Sequence, residues 1–440
     1  MAAKKVALHS LGCKVNQNEA AALLNIFRHH GYEVVDFDQV ADVYLIHTCT
    51  VTHLGDRKSR QVIRRAVKKN PAATVVVSGC YAQVSPEEVL EIPGVDLVIG
   101  TQDRSRILEL VERVEREKTP MNAVRDILHT RDFEELPLEH SGRVRAFLKI
   151  QEGCQQFCSY CIIPFARGPV RSRDPEKTLQ EVRRLVEHGY KEIVLTGIHT
   201  GAYGQDLDDE VDLGWLVRQL SKIRGLKRLR ISSLDPNEFT PEFIETITTT
   251  EIVCPHFHIS LQSGDDDILD RMRRRYTTDE YRDLVSRLRA RIPDLGLTTD
   301  VMVGFPGETG EQHRNSLKFV EEIGFSGLHV FKYSPRAGTK AATYRNQVAP
   351  EVKEQRSKEM IALGEKMAQS FARKFLGKSM EVLVEQRDGN GLWEGHTGNY
   401  LKVKFASEQE LRGELVQVNL KELAKDSLLG QLQGCAVVSR

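Results

Sequence analysis

The amino-acid sequence predicts a three-part α/β protein: an N-terminal α/β domain built on a parallel sheet, a central partial (β/α)6 barrel and a small C-terminal β domain. Strand-like and helix-like patterns alternate over residues 1–115, and six further strand–helix repeats follow over residues 144–374. Short β-like runs punctuated by glycine fill residues 375–440. Residues 116–143 have mixed charge and weak periodicity, which predicts an inter-domain linker.

Composition is that of an ordinary soluble protein. The chain has 440 residues, of which 40% are hydrophobic and 28% are charged, and its formal net charge is zero. No global charge attracts it to nucleic acid, so such a partner needs a local basic patch. We find no apolar run long enough for a signal peptide or a membrane span. Eight cysteines without a secretion signal favour a cytoplasmic protein whose clustered thiols hold metal rather than form disulfides.

Three cysteines of the N-terminal domain each follow a short apolar run that is typical of a buried strand. Cys13 ends VALHSLGC, Cys49 ends VYLIHTC and Cys80 ends TVVVSGC. Helical patterns separate these strands, so the strands are expected to be parallel. The carboxyl ends of parallel strands share one edge of a sheet, where ligands gather. The sequence therefore predicts that the three thiols converge on a metal, and three separate core cysteines are the alternative.

Six strand-like runs define the central barrel. They cover residues 146–151, 192–196, 228–233, 256–261, 297–304 and 328–333. Helical patterns separate them, and one is marked by Asp174 as N-cap, Pro175 at the first position and Gly189 past its end. A closed barrel of this type has eight units, so six units predict an open one. Its chemistry is expected at the carboxyl ends of the strands.

The loop after the first barrel strand reads GCQQFCSYC and contains a second set of three cysteines, Cys154, Cys158 and Cys161. Sites that only hold a metal usually have four ligands. Three cysteines would leave one iron of a 4Fe–4S cluster open to a small molecule, and a zinc knuckle is the alternative.

This C-x3-C-x2-C loop resembles that of the radical S-adenosylmethionine (SAM) enzymes, and Tyr160 matches the aromatic residue that precedes their last cysteine. The resemblance implies that SAM binds the open iron and is cleaved by one electron from the cluster. Polar or glycine residues at the ends of later strands are then expected to contact SAM: Gly197, Ser233, Gln262 and Asp300. Loop solvation or helix capping is the alternative for each polar residue.

The two triads together with the C-terminal β domain resemble the radical SAM methylthiotransferases, over nearly the whole chain. The stretches LGCKVNQNE and TCTVTHLGDRKSRQVIRR are most similar to the branch that modifies N6-threonylcarbamoyladenosine in tRNA. The resemblance implies an auxiliary 4Fe–4S cluster on Cys13, Cys49 and Cys80 and a SAM-cleaving 4Fe–4S cluster on the later triad. It implies no catalytic residue beyond the cluster ligands. One departure is His47, where the family usually has Asn.

The implied reaction is methylthiolation at C2 of that nucleoside next to the anticodon, at position 37, with one SAM as methyl donor and a second as radical source. The alternative substrates are isopentenyladenosine and a ribosomal protein, and the alternative of another class is a two-cluster electron-transfer protein that binds RNA. We expect a monomer whose partners are tRNA and a flavodoxin-like or ferredoxin-like electron donor. A basic residue should meet the carboxylate of the threonylcarbamoyl group, and the candidates are Arg167, Arg171 and Arg336.

Two basic segments are candidates for RNA contact. Residues 57–69 contain seven basic residues and no acidic one. Four of them share one face of the predicted helix: Arg57, Arg60, Arg64 and Lys68. A solvated helix face is the alternative. The second segment is RMRRRY, residues 271–276, in which Tyr276 could stack on a base.

The C-terminal domain resembles the TRAM domain, an RNA-binding domain of the same family. Its charges nearly balance, so charge does not predict RNA binding by itself. Trp393 and Tyr400 are the candidate stacking residues.

Overall fold

A computed structural model describes residues 3–137, 144–207 and 210–434 of the chain. The N-terminal domain alternates strands and helices as follows: β1 Lys5–Ser10, α1 Lys14–His29, β2 Glu33–Val35, β3 Val43–Thr48, α2 His53–Lys69, β4 Thr74–Gly79, α3 Cys80–Val84, α4 Pro86–Leu90, β5 Leu97–Ile99, α5 Ile107–Glu117 and β6 Met121–Asn122. The six strands are parallel, in the order β2–β1–β3–β4–β5–β6. Helices cover both faces of this sheet, because its central strands are apolar on both sides.

The sheet takes its last strand from the segment that was predicted to be a linker. Met121 and Asn122 pair with β5, and Glu134 of the same segment forms an ion pair with Arg104 at 2.9 Å. A strand of two residues is too short to produce a periodic sequence pattern, which is why the sequence did not reveal it. The N-terminal sheet therefore extends past residue 115.

The central domain contains these elements: β7 Arg145–Lys149, β8 Gln151–Glu152, α6 Ile163–Arg167, β9 Arg171–Ser172, α7 Pro175–Glu187, β10 Glu192–Thr196, α8 Leu213–Leu220, β11 Arg228–Ile231, α9 Pro241–Thr249, β12 His256–His258, α10 Asp266–Arg271, α11 Thr278–Arg291, β13 Gly296–Val303, α12 Gly310–Ile323, β14 Gly327–Lys332 and α13 Pro350–Arg373. Two three-stranded parallel sheets, β7–β10–β11 and β12–β13–β14, are joined by a bridge between Leu234 and Ile259. Among the described residues, no strand pairing closes β14 onto β7. The prediction of an open (β/α)6 barrel is confirmed.

The C-terminal domain is a closed five-stranded barrel in the order β15–β16–β17–β19–β18. Its strands are β15 Ser379–Arg387, β16 Trp393–Thr397, β17 Lys402–Phe405, β18 Leu415–Leu423 and β19 Leu428–Leu432. Trp393 is only 2% exposed and donates a hydrogen bond from Nε1 to the Gln409 carbonyl. The expectation that Trp393 stacks on a base is wrong, because this ring belongs to the core of the small barrel.

The two ends of the central barrel are covered by different domains. At the amino ends of the strands, Arg228 forms an ion pair with Glu381 at 2.9 Å. The Tyr400 ring lies there between His256 and His396, with ring centroids 4.7 and 4.9 Å away. At the carboxyl ends, the contacts are to the N-terminal domain, so the predicted catalytic end of the barrel faces the cysteines that follow β1, β3 and β4.

No helix among the described residues combines the length and the apolar character that crossing a membrane requires.

Candidate active site with two cysteine triads

The first triad lies at the carboxyl edge of the N-terminal sheet. Cys13 precedes α1, Cys49 follows β3, and Cys80 is the first residue after β4. The backbone at Gly12 has a φ of 107° and lies against Cys49, so a Cβ there would come within 2.8 Å of the Cys49 Cβ. Burial raises the pKa of the Cys80 thiol to about 12; Arg167 opposes the rise, and the Cys49 and Cys13 thiols add to it.

The second triad lies in the loop after β7 and β8, at the carboxyl end of the barrel. The Cys161 amide donates to the Cys158 carbonyl at 3.0 Å, and the Cys154 amide donates to the Gly168 carbonyl at 3.0 Å. Gly153 has a φ of 76°, and a Cβ there would lie 1.8 Å from the Pro169 carbonyl oxygen. The loop therefore depends on a glycine at this position. Burial, reinforced by the Cys158 thiol, raises the pKa of Cys161.

The donor chemistry of both triads fits a metal cluster. The seven described cysteines are all free thiols. In neither triad, both of which lie wholly within the described ranges, do the three sulfur atoms all come within 4.8 Å of one another. A single tetrahedral zinc, with Zn–S bonds near 2.3 Å, would draw its sulfurs to about 3.8 Å. An iron–sulfur cluster spaces its thiolates more widely because each binds a different iron, and three thiolates leave its fourth iron open, so the donor set of each triad fits such a cluster.

Each triad has one buried guanidinium that donates to a cysteine sulfur. Arg167 Nε lies 3.2 Å from Cys80 Sγ, and Arg274 Nη1 lies 3.5 Å from Cys158 Sγ. Carboxylates fix both guanidinium groups, since Glu19 binds Arg167 at 2.7 Å and Asp235 binds Arg274. A fixed positive charge beside a thiolate ligand stabilises the anionic charge that three thiolates bring to a cluster.

Sequence reasoning missed both of these roles. Arg167 was a candidate for the substrate carboxylate, and Arg274 lies in the segment that was predicted to contact RNA. Tyr276 of that segment is 5% exposed and donates to the carbonyls of Ser260 and Leu261, so it is not available to stack on a base. The sulfur partners of the two arginines lie 87 and 116 residues away along the chain, and no local pattern reports such contacts.

A buried ionic network joins the two triads across the interface between the first two domains. Glu19 of α1 lies 2.7 Å from Arg104, 2.7 Å from Arg167 and 2.9 Å from Lys149. Glu152, two residues before Cys154, lies 2.8 Å from Lys149 and 3.1 Å from Arg167. Burial by itself would raise the pKa of Glu19, but the three cations hold it well below its usual value.

His47, which stands where the resemblance predicts Asn, belongs to the same network. Its Nε2 lies 3.2 Å from a Glu19 oxygen, and the side chain is completely buried. Burial lowers the pKa of His47, and the hydrogen bond to Glu19 opposes that effect.

A cavity lies between the two triads, and residues from both domains line it. From the N-terminal domain come Val51 and Thr52, which follow Cys49; from the barrel come Tyr160, Cys161, Ile162, Ile163, Gln262, Asp300, Met302, Phe331, Lys332, Tyr333 and Ser334. Three of the five residues expected to contact SAM therefore line one cavity beside Cys161. Gly197 and Ser233 are outside this lining: Gly197 packs on Gln151, and Ser233 is exposed.

Two of the three arginines considered for a substrate carboxylate are held in ion pairs, and the third is completely buried. Arg167 belongs to the buried network, and Arg336 Nη1 lies 2.6 Å from Asp56 on α2. Arg171 is completely buried, with Nη1 3.4 Å from the Pro169 carbonyl oxygen. The expectation that one of them meets the substrate is therefore not favoured by their contacts.

The predicted basic helix is α2, and its cations differ in exposure. Arg57, Arg64 and Lys68 are exposed. Arg60 is partly covered, because its Nη1 donates to the Tyr81 hydroxyl at 2.9 Å and to Glu88 at 3.0 Å. The exposed face of α2 therefore presents three of the four predicted basic residues.

Comparison with known proteins identifies both parts of this site. The model of the Radical SAM superfamily matches residues 148–320, and the model of Uncharacterized protein family UPF0004 matches residues 5–100. The radical S-adenosylmethionine methyltransferase TsrM of Kitasatospora setae, solved with cobalamin and a [4Fe-4S] cluster, has a TM-score of 0.57 at 16% identity. That likeness covers 78% of this chain and 77% of TsrM, and it concerns the fold alone. The fold and the three-cysteine loop thus define a radical SAM protein.

More similar relatives give the family within that superfamily. Threonylcarbamoyladenosine tRNA methylthiotransferase MtaB of Bacillus subtilis is 46% identical, over 94% of this chain and 93% of the relative. The protein of the same name from Aquifex aeolicus is 41% identical, over 94% and 99%. The tRNA-2-methylthio-N(6)-dimethylallyladenosine synthase of Clostridium novyi is 35% identical, over 98% and 96%. The chain belongs to the radical SAM methylthiotransferase family. This membership makes it an enzyme and rules out the electron-transfer alternative.

Removing the carboxylate at the centre of the buried network should destabilise the protein. Glu19→Gln removes the carboxylate that pairs with Arg104, Arg167 and Lys149 at once, and breaking a buried pair in this way costs about 3–5 kcal/mol. Thermal unfolding should therefore shift to a clearly lower midpoint. Glu88→Gln, which removes an exposed partner of Arg60, is the matched control and should cost less than about 1 kcal/mol.

The same variant should also change the pH dependence of stability. Because the folded-state pKa of Glu19 is lowered, its contribution is present above the unfolded pKa of about 4.3 and is lost as pH falls through the folded pKa. The gap between parent and Glu19→Gln should therefore be constant near neutral pH and narrow below about pH 4. Equal midpoints at pH 7 would contradict the role given to Glu19.

Proposed function

We propose that this enzyme adds a methylthio group to C2 of N6-threonylcarbamoyladenosine at position 37 of tRNA, next to the anticodon. The observation that carries the proposal is the cavity between the two triads, which is lined by Val51 and Thr52, two and three residues after Cys49, and by Cys161 itself. A nucleoside in this cavity would lie between a sulfur-delivering centre and a SAM-cleaving centre. The substrate is suggested by the names of the relatives at 46% and 41% identity.

Cys13, Cys49 and Cys80 would hold an auxiliary 4Fe–4S cluster, and Cys154, Cys158 and Cys161 would hold a second one that binds SAM. When bound, these cofactors supply one-electron cleavage of SAM and the sulfur that is delivered, which an adenine C2–H bond requires because it is neither acidic nor electrophilic. One SAM would serve as methyl donor and a second as radical source. A flavodoxin-like or ferredoxin-like protein would supply the electron.

The residues of the chain bind, orient and hold charge in this arrangement. Arg167 and Arg274 each donate to one ligand sulfur, so they orient Cys80 and Cys158 and offset negative charge. Tyr160 and Gln262 would contact SAM from the cavity wall beside Cys161. The ionic network around Glu19 keeps the two triads in one rigid frame, because it ties α1 to the strand that leads into the second triad.

Isopentenyladenosine is the second candidate substrate, because relatives at 35% identity are named for the dimethylallyl form. The two substrates differ in the N6 group, which carries a carboxylate, a hydroxyl and a urea in one case and only hydrocarbon in the other. The relatives with higher identity favour the polar group.

Iron content should report two independent clusters. Anaerobic reconstitution of the full chain should give about eight irons, from two four-iron clusters. Cys80→Ala should lose about half of this iron and keep SAM cleavage, whereas Cys154→Ala should lose the other half and abolish SAM cleavage. Cys254→Ala, a buried barrel cysteine outside both triads, is the control and should keep all of the iron. If the parent holds about four irons per chain and Cys80→Ala holds the same number, the auxiliary cluster is refuted.

Substrate choice should follow the N6 group. With reconstituted enzyme, SAM and reductant, tRNA that carries threonylcarbamoyladenosine should gain the mass of a methylthio group in nucleoside mass spectrometry. tRNA that carries isopentenyladenosine should react up to about 10⁴-fold more slowly if buried polar groups read the substituent. Faster reaction of the isopentenyl form would leave the family assignment intact and reverse the substrate.

The exposed face of α2 should bind tRNA phosphates. Changing Arg57 and Arg64 together to Glu should weaken tRNA binding and reduce the slope of log affinity against log salt by roughly 0.7–0.9 for each phosphate that the protein no longer neutralises. SAM cleavage without tRNA should be unchanged. Arg113→Glu with Arg116→Glu makes the same charge change on α5 and is the control. If both double variants bind alike at every salt concentration, α2 is only a solvated face.

A further inference from the structure

A polar cluster lies on the inner wall of the barrel, and it joins Asp300 of the cavity lining to two histidines that the proposed arrangement does not use. His258 on β12, Asp300 on β13 and His329 on β14 lie on neighbouring strands, and Asp300 is the register partner of His329. The alternate residues of β13, such as Leu297 and Val301, pack in the core beneath the helices. The three polar side chains therefore face the lumen, where Asp300 also lines the cavity between the triads.

In this cluster, the Asp300 carboxylate lies between the imidazole rings of His258 and His329. Both histidines approach Asp300: His258 Nε2 lies 3.3 Å from Oδ2, and His329 Nδ1 lies 3.3 Å from Oδ1. The two imidazole rings stack with centroids 5.3 Å apart and planes at 25°. On its other side, His258 Nδ1 lies 3.0 Å from Thr298 Oγ1, which fixes the orientation of the ring.

The contacts to Asp300 are looser than those in the buried network. Hydrogen bonds to an ionised carboxylate measure about 2.7–2.9 Å, so the two contacts at 3.3 Å are longer and weaker than such bonds. The side chains also become more exposed toward the edge strand, from 11% for His258 and 25% for Asp300 to 63% for His329. These groups can therefore exchange part of their mutual contact for a ligand that enters the lumen.

The charge state of Asp300 supports a role as acceptor. Burial by itself would raise its pKa, but hydrogen bonding and charge from His258 and His329 hold the pKa well below its usual value. Asp300 is therefore ionised near neutral pH and can only accept hydrogen bonds, while the imidazole nitrogens can donate them.

The chemistry of the cluster distinguishes between the two N6 groups. A threonylcarbamoyl group offers N–H and O–H donors for Asp300 and a carboxylate for the imidazoles. A hydrocarbon group offers none of these, and it would desolvate three polar side chains without compensation. Neighbouring cations have carboxylate partners of their own, since Asp56 binds Arg336 and Glu354 binds Lys332 at 2.7 Å. The two imidazoles are the donor groups that lie directly beside Asp300.

We infer that His258, Asp300 and His329 form the subsite that reads a polar, carboxylate-bearing N6 substituent of the substrate nucleoside. This inference rests on the proposed function. It reassigns Asp300 from the SAM contact that was expected from the sequence to a contact with the substrate, while SAM keeps Tyr160 and Gln262 nearer Cys161.

The test compares the reconstituted parent enzyme with His329→Phe and Asp300→Asn on the two tRNA substrates. For tRNA bearing threonylcarbamoyladenosine, kcat/KM should fall about 100-fold in His329→Phe, mainly through KM, because the variant lacks the imidazole donor that would meet the substrate carboxylate. For tRNA bearing isopentenyladenosine, kcat/KM should be unchanged or higher. The discrimination ratio should therefore collapse, while SAM cleavage without tRNA and the iron content stay at the parent level. His329→Gln, which keeps a donor, should restore most of the ratio.

The control is His129→Phe, which removes an exposed histidine that pairs with Asp126 at 2.6 Å in the segment before the barrel. It should leave both substrates at the parent rate. If the parent does not modify threonylcarbamoyladenosine, the proposed function has failed. If the parent does so and the variants keep its discrimination ratio, or lose both substrates equally, the subsite inference alone is overturned. If the reconstituted parent binds one zinc per chain and His329→Phe abolishes that binding, the three residues form a metal site. That result would also overturn the subsite inference.

Discussion

The fully buried carboxylate of Glu19 is the contact on which the arrangement of the active site depends. It lies within 3 Å of three cations that come from three places in the chain: Arg104 just before α5, Lys149 at the end of the first barrel strand, and Arg167 after the second cysteine loop. In a low-dielectric interface these charges are tolerated only together, since any one of them alone would carry a large desolvation cost. The network therefore stabilises the observed position of the first two domains relative to each other.

Arg167 connects this ionic network to both triads. Arg167 contacts Glu19 through its terminal nitrogens and Cys80 through Nε, and α6, on which it lies, begins two residues after Cys161. A single short helix thus connects the cysteine loop of one triad to Cys80 of the other. The cavity is lined by residues of both domains that this network joins. A reaction that brings sulfur and a radical source to one carbon atom needs both groups in accurate positions. Misplacement by about 1 Å can cost a factor of about 100 in rate.

Much of the site could be anticipated from local patterns, and the rest could not. The cysteines at the ends of β1, β3 and β4 were predictable, because apolar runs mark buried strands and parallel strands end at one edge. The loop from Cys154 to Cys161 was predictable from its spacing. The roles of Arg167 and Arg274 were not, because an arginine in a basic segment has the same local pattern whether it lies in solvent or beside a sulfur. Trp393 and Tyr276 were misjudged for a related reason, since burial of one aromatic ring depends on the elements that fold over it.

The sequence by itself determined the order of the three units, the open six-stranded barrel and the two groups of three cysteines. These features follow from periodicity, from turn residues and from short spacings, all of which act between residues close in the chain. The tertiary structure alone decided which cations are buried beside which thiols, and that His258, Asp300 and His329 share one wall of the lumen. Such contacts join residues as far apart as Glu19 and Arg167, 148 positions along the chain, and they form only where the packing of strands and domains makes the shared burial of charge favourable.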